Sequence, residues 1–312
     1  MSDKPLVSLC MPTNGVIEWV FPVLDSIFKQ SVDHELFEVV VTDNGNSQEF
    51  KKKIREYAAN YSNLLYAETE ALPFLNEIES YKLAKGQLIK FVNHRTLLVE
   101  GALQRLIDFV SDNISEKPIA YFANGVLELP KERCEFDNFD MFVRYLSYWS
   151  SWSTGMAIWK DDFVNLPRDI STFNELFPHT TVLFNDRNRN KYVIDNSTIM
   201  DEIPPGNRPK GNYDLFGAFA IEYPDIICGL LKDGSISIET YKHVLDQNLS
   251  FVIRMYWDYC VRKEVCSYDL SGLKQVWGIY YTKLDFFKKI ISLMVEKVTS
   301  RIIRNFDERV KI

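Results

Sequence analysis

The sequence predicts an α/β chain: a mostly parallel sheet with flanking helices, extended at the C-terminus by a helical region. Three observations predict it. Short apolar runs alternate with amphipathic segments through residue 125. The runs close on polar turn residues, as strands of an open sheet do. From residue 236 onward the apolar positions recur at helical spacing.

Taken in order, 6–11 is a buried strand closed by Pro12, and 17–30 is a helix through Val20, Leu24, Ile27 and Phe28. Residues 37–42 form a second buried strand, ending at Asp43-Asn44-Gly45-Asn46. Residues 48–61 form an amphipathic helix and 64–67 a third strand. A helix over 74–84 stops at Gly86, and 87–92 is the fourth strand. A helix over 101–111 and a strand over 119–123 complete the regular part. Further on, 139–149 reads as a helix and 155–159 as a strand. The segments 180–184 and 191–195 read as short strands about a polar turn. Residues 203–212, with three prolines and two glycines, read as a loop carrying Arg208 and Lys210. The pattern predicts a sheet domain over 1–232, with halves 1–125 and 126–232, and a helical region over 233–312.

Composition narrows the function. The chain of 312 residues carries a net charge of -7, which argues against a nucleic-acid partner gripped through its phosphates. Five cysteines, odd in number and irregularly spaced, predict a reduced, cytoplasmic protein without a zinc site. There is no signal-peptide pattern and no apolar run of membrane-spanning length. No GxGxxG follows the first strand, which disfavours a Rossmann dehydrogenase.

In open α/β sheets, ligands bind at the carboxyl ends of the strands. Here those ends carry Pro12-Thr13-Asn14, Asp43-Asn44-Gly45 and Asn93-His94-Arg95-Thr96. Four segments resemble family 2 glycosyltransferases, which have the GT-A fold. Leu6-Val7-Ser8-Leu9-Cys10-Met11-Pro12-Thr13 is similar to their opening strand and P-T turn. Ser26-Ile27-Phe28-Lys29-Gln30 resembles a helix end of theirs. Phe37-Glu38-Val39-Val40-Val41-Thr42-Asp43-Asn44-Gly45 resembles their second strand, and Ala84-Lys85-Gly86-Gln87-Leu88-Ile89-Lys90-Phe91 the element before their metal motif. The pieces keep the family's order over about a third of the chain.

The resemblance implies a nucleotide-sugar donor, UDP- or dTDP-linked, held by Pro12, Thr13, Asn14, Asp43, Asn44, Asn93 and His94. It implies inverting transfer to a glycan or lipid-linked oligosaccharide acceptor, in bacterial surface polysaccharide synthesis. It also implies Mg or Mn on a D-x-D motif. The matching positions, Asn93 to Thr96, hold no carboxylate. Arg95 is therefore expected to stabilise the leaving diphosphate in the metal's place, with Arg208 and Lys210 closing over it. The alternative is a non-catalytic GT-A domain that binds or assembles.

Candidates for the acceptor-side base are Asp161, Asp162, Glu175 and His179, with Glu175 and His179 favoured. Trp149 and Trp152 are candidates for an acceptor platform, against a role in core packing. The basic, amphipathic segment 282–312 suits either the inner membrane face or a second copy of the chain, against packing on its own domain.

Overall fold

A computed structural model describes residues 4–166, 173–204 and 211–295. The chain separates into two compact units, Met1–Gly206 and Asn207–Ile312. Residues 211–232 thus group with the helices, whereas the sequence pattern placed the boundary after residue 232.

In the first unit, β1 (Val7–Thr13), α1 (Ile17–Phe28), β2 (Phe37–Asp43), α2 (Gln48–Ala58), β3 (Leu64–Glu68), α3 (Asn76–Leu83) and β4 (Leu88–Phe91) alternate. Then come β5 (Thr96–Leu98), α4 (Ala102–Asn113), β6 (Ile119–Phe122), β7 (Arg133–Phe136), α5 (Phe139–Leu146) and β8 (Ala157–Trp159). The unit closes with α6 (Lys160–Val164), α7 (Pro178–Leu183), β9 (Tyr192–Asp195) and β10 (Met200–Glu202). The central sheet runs β3-β2-β1-β4-β8, parallel except for β8, which is antiparallel to β4. A second sheet runs β6-β9-β7, and β5 pairs with β10.

Alternation along β1 sorts its side chains. Val7, Leu9 and Met11 join Val20, Leu24 and Ile27 of α1 and Leu103, Leu106 and Val110 of α4 in one core. On the opposite face, the Cys10 thiol donates to the Ser80 carbonyl of α3 at 3.5 Å. The strand is buried on both faces, so it reads as a continuous apolar run. Ser47 caps α2, accepting from the Phe50 amide at 3.2 Å.

The second unit holds helices Tyr223–Lys232 and Ile238–Met255 and a helix over 283–295. Buried Asn248 ties it together, its amide donating to the Phe219 carbonyl at 2.7 Å and to the Tyr281 hydroxyl at 2.8 Å.

One expected strand is a helix. Thr180, Thr181 and Val182 give 180–184 a strand-like composition, yet 178–183 is helical. Pro178 sits in the first turn, where a fixed φ favours helix. Asn174 accepts from the amides of Leu176 and Phe177, both at 2.9 Å. The Thr180 hydroxyl donates to the Ser150 carbonyl at 2.9 Å, so tertiary contacts override propensity. The helix expected over 139–149 stops at Leu146 and tightens into a 3-10 turn, Ser147–Ser151. Strands β5, β7 and β10 have no counterpart in the sequence expectation.

Glu38 fastens the sheet at the end opposite the ligand side. Its carboxylate accepts from the Ser8 hydroxyl at 2.6 Å, the Lys85 amide and the Gly86 amide at 3.1 Å. Gly86 has to be glycine, since a Cβ there would stand 2.7 Å from both the Ser8 nitrogen and Oγ. Gly86→Ala is expected to cost about 1–3 kcal/mol, as overpacking does. Urea unfolding should show a lowered midpoint at unchanged m.

Candidate functional site

The carboxyl ends of β1, β2 and β4 bring together most of the residues singled out in the sequence. Thr13 and Asp43 are register partners at the last rung of β1 and β2. The Asn44 amide donates to the Thr13 carbonyl at 3.1 Å. Thr13 Oγ1 accepts from the Gly15 amide at 3.0 Å and lies 2.8 Å from His94 Nδ1. Pro12 is half-buried and Asn14 exposed at the rim.

Asp43 itself is 1% exposed. It accepts from the Gly45 amide at 2.7 Å and from the Tyr66 hydroxyl at 3.0 Å. Burial pushes its carboxyl above the usual range, against the pull of these two donors. Gly45 is demanded by close approach rather than by turn chemistry: a Cβ would fall 2.1 Å from the Asn14 carbonyl oxygen. The Asn44 amide side chain donates to the Ala71 carbonyl at 3.0 Å, which leaves its own oxygen to accept.

Beneath these loops lies Asn76, the first residue of α3. Its amide donates to the carbonyls of Thr42, at 2.9 Å, and Thr13, at 3.3 Å. Its oxygen accepts from the Thr69 hydroxyl at 2.7 Å.

After β4 the chain makes a tight turn. The Asn93 side chain accepts from the Arg95 amide at 3.1 Å, and its carbonyl accepts from Thr96. His94 meets Trp19 edge-on, with ring centroids 5.2 Å apart. Burial, and secondarily the charge of Arg95, hold His94 down to about 4, so the ring is neutral at pH 7. The Arg95 guanidinium lies 5.7 Å over the Trp19 ring and 3.6 Å from Glu202 of β10. Among the described residues no three His, Cys, Asp or Glu side chains group as metal ligands. Asn93, His94 and Arg95 bring an amide, an imidazole and a permanent positive charge to this turn, which is not the oxygen-rich, anionic donor set that Mg or Mn takes.

In the segment ahead of β8, Trp149 and Trp152 are half-buried, with ring centroids 5.9 Å apart. The Tyr121 hydroxyl donates to their backbone carbonyls. Glu175 is exposed on the turn before α7. His179 is buried, and its Nε2 donates to the Ser151 carbonyl at 2.8 Å, which fixes that tautomer. Its Nδ1 lies 3.7 Å from Glu77 Oε1, beyond hydrogen-bond range. Burial holds the ring down to about 4 and pushes the Glu77 carboxyl well up. Both ring nitrogens therefore address the interior. Asp161 pairs with Lys117, and Asp162 with Arg189 at 2.8 Å.

Arg208 and Lys210 lie outside the described residues, as does 296–312 of the C-terminal segment. Sequence reasoning missed Trp19, Tyr66, Asn76 and Glu202. The first three sit inside ordinary helix and strand patterns.

No family model matches the chain. Over 109 residues it is 26% identical to a Mycoplasma pneumoniae protein described as an uncharacterized glycosyltransferase, the MG025 homolog. That match covers 34% of this chain and 36% of the relative, so the chain spans about a third of the relative's length. Among solved structures, S. aureus TarS 1-349 superposes with a TM-score of 0.58 at 16% identity, covering 86% of this chain and 77% of that one. The same protein in complex with UDP-GlcNAc gives 0.57 at 17%, covering 88% and 80%. The fold is thus the GT-A fold that the strand-end motifs implied.

Lys90, beside this site on β4, is 1% exposed. Its ammonium donates to the carbonyls of Phe91, at 2.9 Å, and Thr154. Burial lowers it from 10.5 to about 7. Between those values the unfolded chain holds a proton that the folded chain lacks, so stability rises with pH across that window. The unfolding midpoint is expected to climb from about pH 7 to about pH 8.5, below the usual range for thiols. Lys90→Met should flatten that climb in a thermal melt series.

Proposed function

We propose that the chain is a glycosyltransferase that takes a sugar from a UDP- or dTDP-linked donor, without a divalent cation. One observation carries this: Thr13, Asn44, His94 and Arg95 converge at the ends of β1, β2 and β4. They do so on the fold of TarS, whose crystal structure holds UDP-GlcNAc. The named relative supports the same activity.

In this reading Asp43 shapes the base-binding loop through Gly45 and Tyr66. The rim groups Asn14 and Asn44 meet the nucleotide, with Pro12 and Thr13 beneath. As the glycosidic bond breaks, its electron pair passes to the β-phosphate oxygen. Arg95 stabilises the charge that gathers there, because a guanidinium matches phosphate oxygens. The neutral His94 contributes hydrogen bonding but no charge. Asn93 holds the turn that aims Arg95.

The acceptor, a glycan or lipid-linked oligosaccharide, lies against Trp149 and Trp152, and transfer inverts the anomeric centre. Glu175 takes the acceptor proton, since of the favoured pair it alone is open to solvent. His179 positions the segment Ser147–Ser151 from within. Work on a surface polysaccharide would place the chain on an anionic inner membrane face. The 283–295 helix supports that, exposing Leu284, Phe287 and Ile291 beside Lys283 and Lys288. No described helix is long and apolar enough to cross a membrane.

Thermal shift with UDP and dTDP, followed by donor hydrolysis, tests the reading. One of the two nucleotides should raise the melting temperature by mass action. Hydrolysis should persist in EDTA and fall by about 100-fold or more in Arg95→Ala, as for loss of a transition-state donor. Loss of activity in EDTA would reject the metal-free mechanism. A nucleotide shift without turnover would favour a non-catalytic binding subunit.

A further inference from the structure

Arg95 is the cation that the donor's diphosphate would meet, yet it already faces an anion. Its Nη2 stands 3.6 Å from Glu202 Oε2. Glu202 is held there by backbone. It pairs with Thr96 in the β5–β10 ladder, and the next amide, Ile203, donates to the Arg95 carbonyl at 2.8 Å. The Arg95 side chain is 14% exposed, whereas that of Glu202 is 54% exposed. At 3.6 Å the pair is an ion contact without a hydrogen bond, the kind that water and salt weaken.

This arrangement has a chemical consequence. A carboxylate offers two oxygens to a guanidinium much as a phosphate does. With Glu202 in place the end of β4 is electrically balanced. A diphosphate arriving at Arg95 would bring a second anion against Glu202, and like charges at that range repel. Glu202 can swing into solvent at little cost, because it is half out already. Arg95 stays, seated on the Trp19 ring at 5.7 Å.

We propose that Glu202 is a positioning residue that stands in for the donor's phosphate at Arg95 and gives way as the diphosphate arrives. It rests on the nucleoside diphosphate reading above and adds a threshold to it. A diphosphate brings more charge against Glu202 than a monophosphate does, so the carboxylate weighs more heavily on the diphosphate.

The experiment is titration calorimetry of the full chain with UDP, UMP and inorganic pyrophosphate, in wild type, Glu202→Gln, Arg95→Ala and the double variant. Glu202→Gln keeps the side-chain shape and the exposed position, so it should fold. It should tighten pyrophosphate and UDP about 2- to 5-fold at low salt, the range of an exposed ion pair. UMP, which brings less charge against Glu202, should gain less, so that UDP/UMP discrimination widens. In the Arg95→Ala background Glu202→Gln should change nothing, and about 0.5 M NaCl should erase the effect. Equal UDP affinity in wild type and Glu202→Gln overturns the gate alone. An effect that survives Arg95→Ala overturns it too, by showing a general charge effect. If neither UDP nor pyrophosphate binds wild type or Glu202→Gln, the gate and the donor reading fall together.

Discussion

One buried carboxamide sets the geometry on which the loops at the carboxyl ends of β1 and β2 depend. Asn76 opens α3 and spends both its amide hydrogens on the carbonyls of Thr13 and Thr42, while its oxygen receives the Thr69 hydroxyl. The Thr42 hydroxyl returns a bond to the Asn76 carbonyl at 3.2 Å. The Thr42 carbonyl, paired in register with Pro12, which has no N–H to give, is thereby satisfied away from water, and the Thr13 carbonyl gains a second donor beside the Asn44 amide. Each such group left orphaned costs about 1–3 kcal/mol. Helix, two strands and the loop after β3 meet at this side chain, and the ligand-facing loops start from it.

The two ends of the sheet are fixed by different chemistry. At the amino end of the parallel strands, Glu38 gathers Ser8, Lys85 and Gly86. The glutamate and glycine that mark the sequence motifs are thus partners in one contact. At the carboxyl end His94 is neutral, Asp43 is covered, Arg95 faces Glu202, and Glu68 at the end of β3 pairs with Lys51 and Arg55.

Much of this was legible in the sequence, and the limits have physical causes. Strands β1, β2 and β4 are covered on both faces, so their apolar runs announce themselves, and Asp43, Asn93 and Arg95 follow as strand-end residues. Strands β5, β7 and β10 are three or four residues long and owe their existence to distant partners. No local pattern encodes that. The helix Pro178–Leu183 hides behind β-branched residues, of which Thr180 donates to the distant Ser150 carbonyl and Thr181 to the Phe177 carbonyl one turn back. In the site, the loop residues could be read, but their supports could not. Trp19, Tyr66 and Asn76 look like ordinary core, and Glu202 like an ordinary surface carboxylate, until the fold sets them beside Arg95, Asp43 and Thr13.

Tyr121 settles a different matter. Its ring lies so close over Gly155 that a Cβ there would come within 2.2 Å of it, and its hydroxyl ties down the backbone at Trp149 and Trp152. The path of that segment is therefore dictated by a tyrosine from β6, and the two indoles are relieved of holding it. Side chains freed in this way are the ones a lineage can exchange without rebuilding its scaffold. On the acceptor role proposed for them above, an engineer seeking a new acceptor would start at the same two positions.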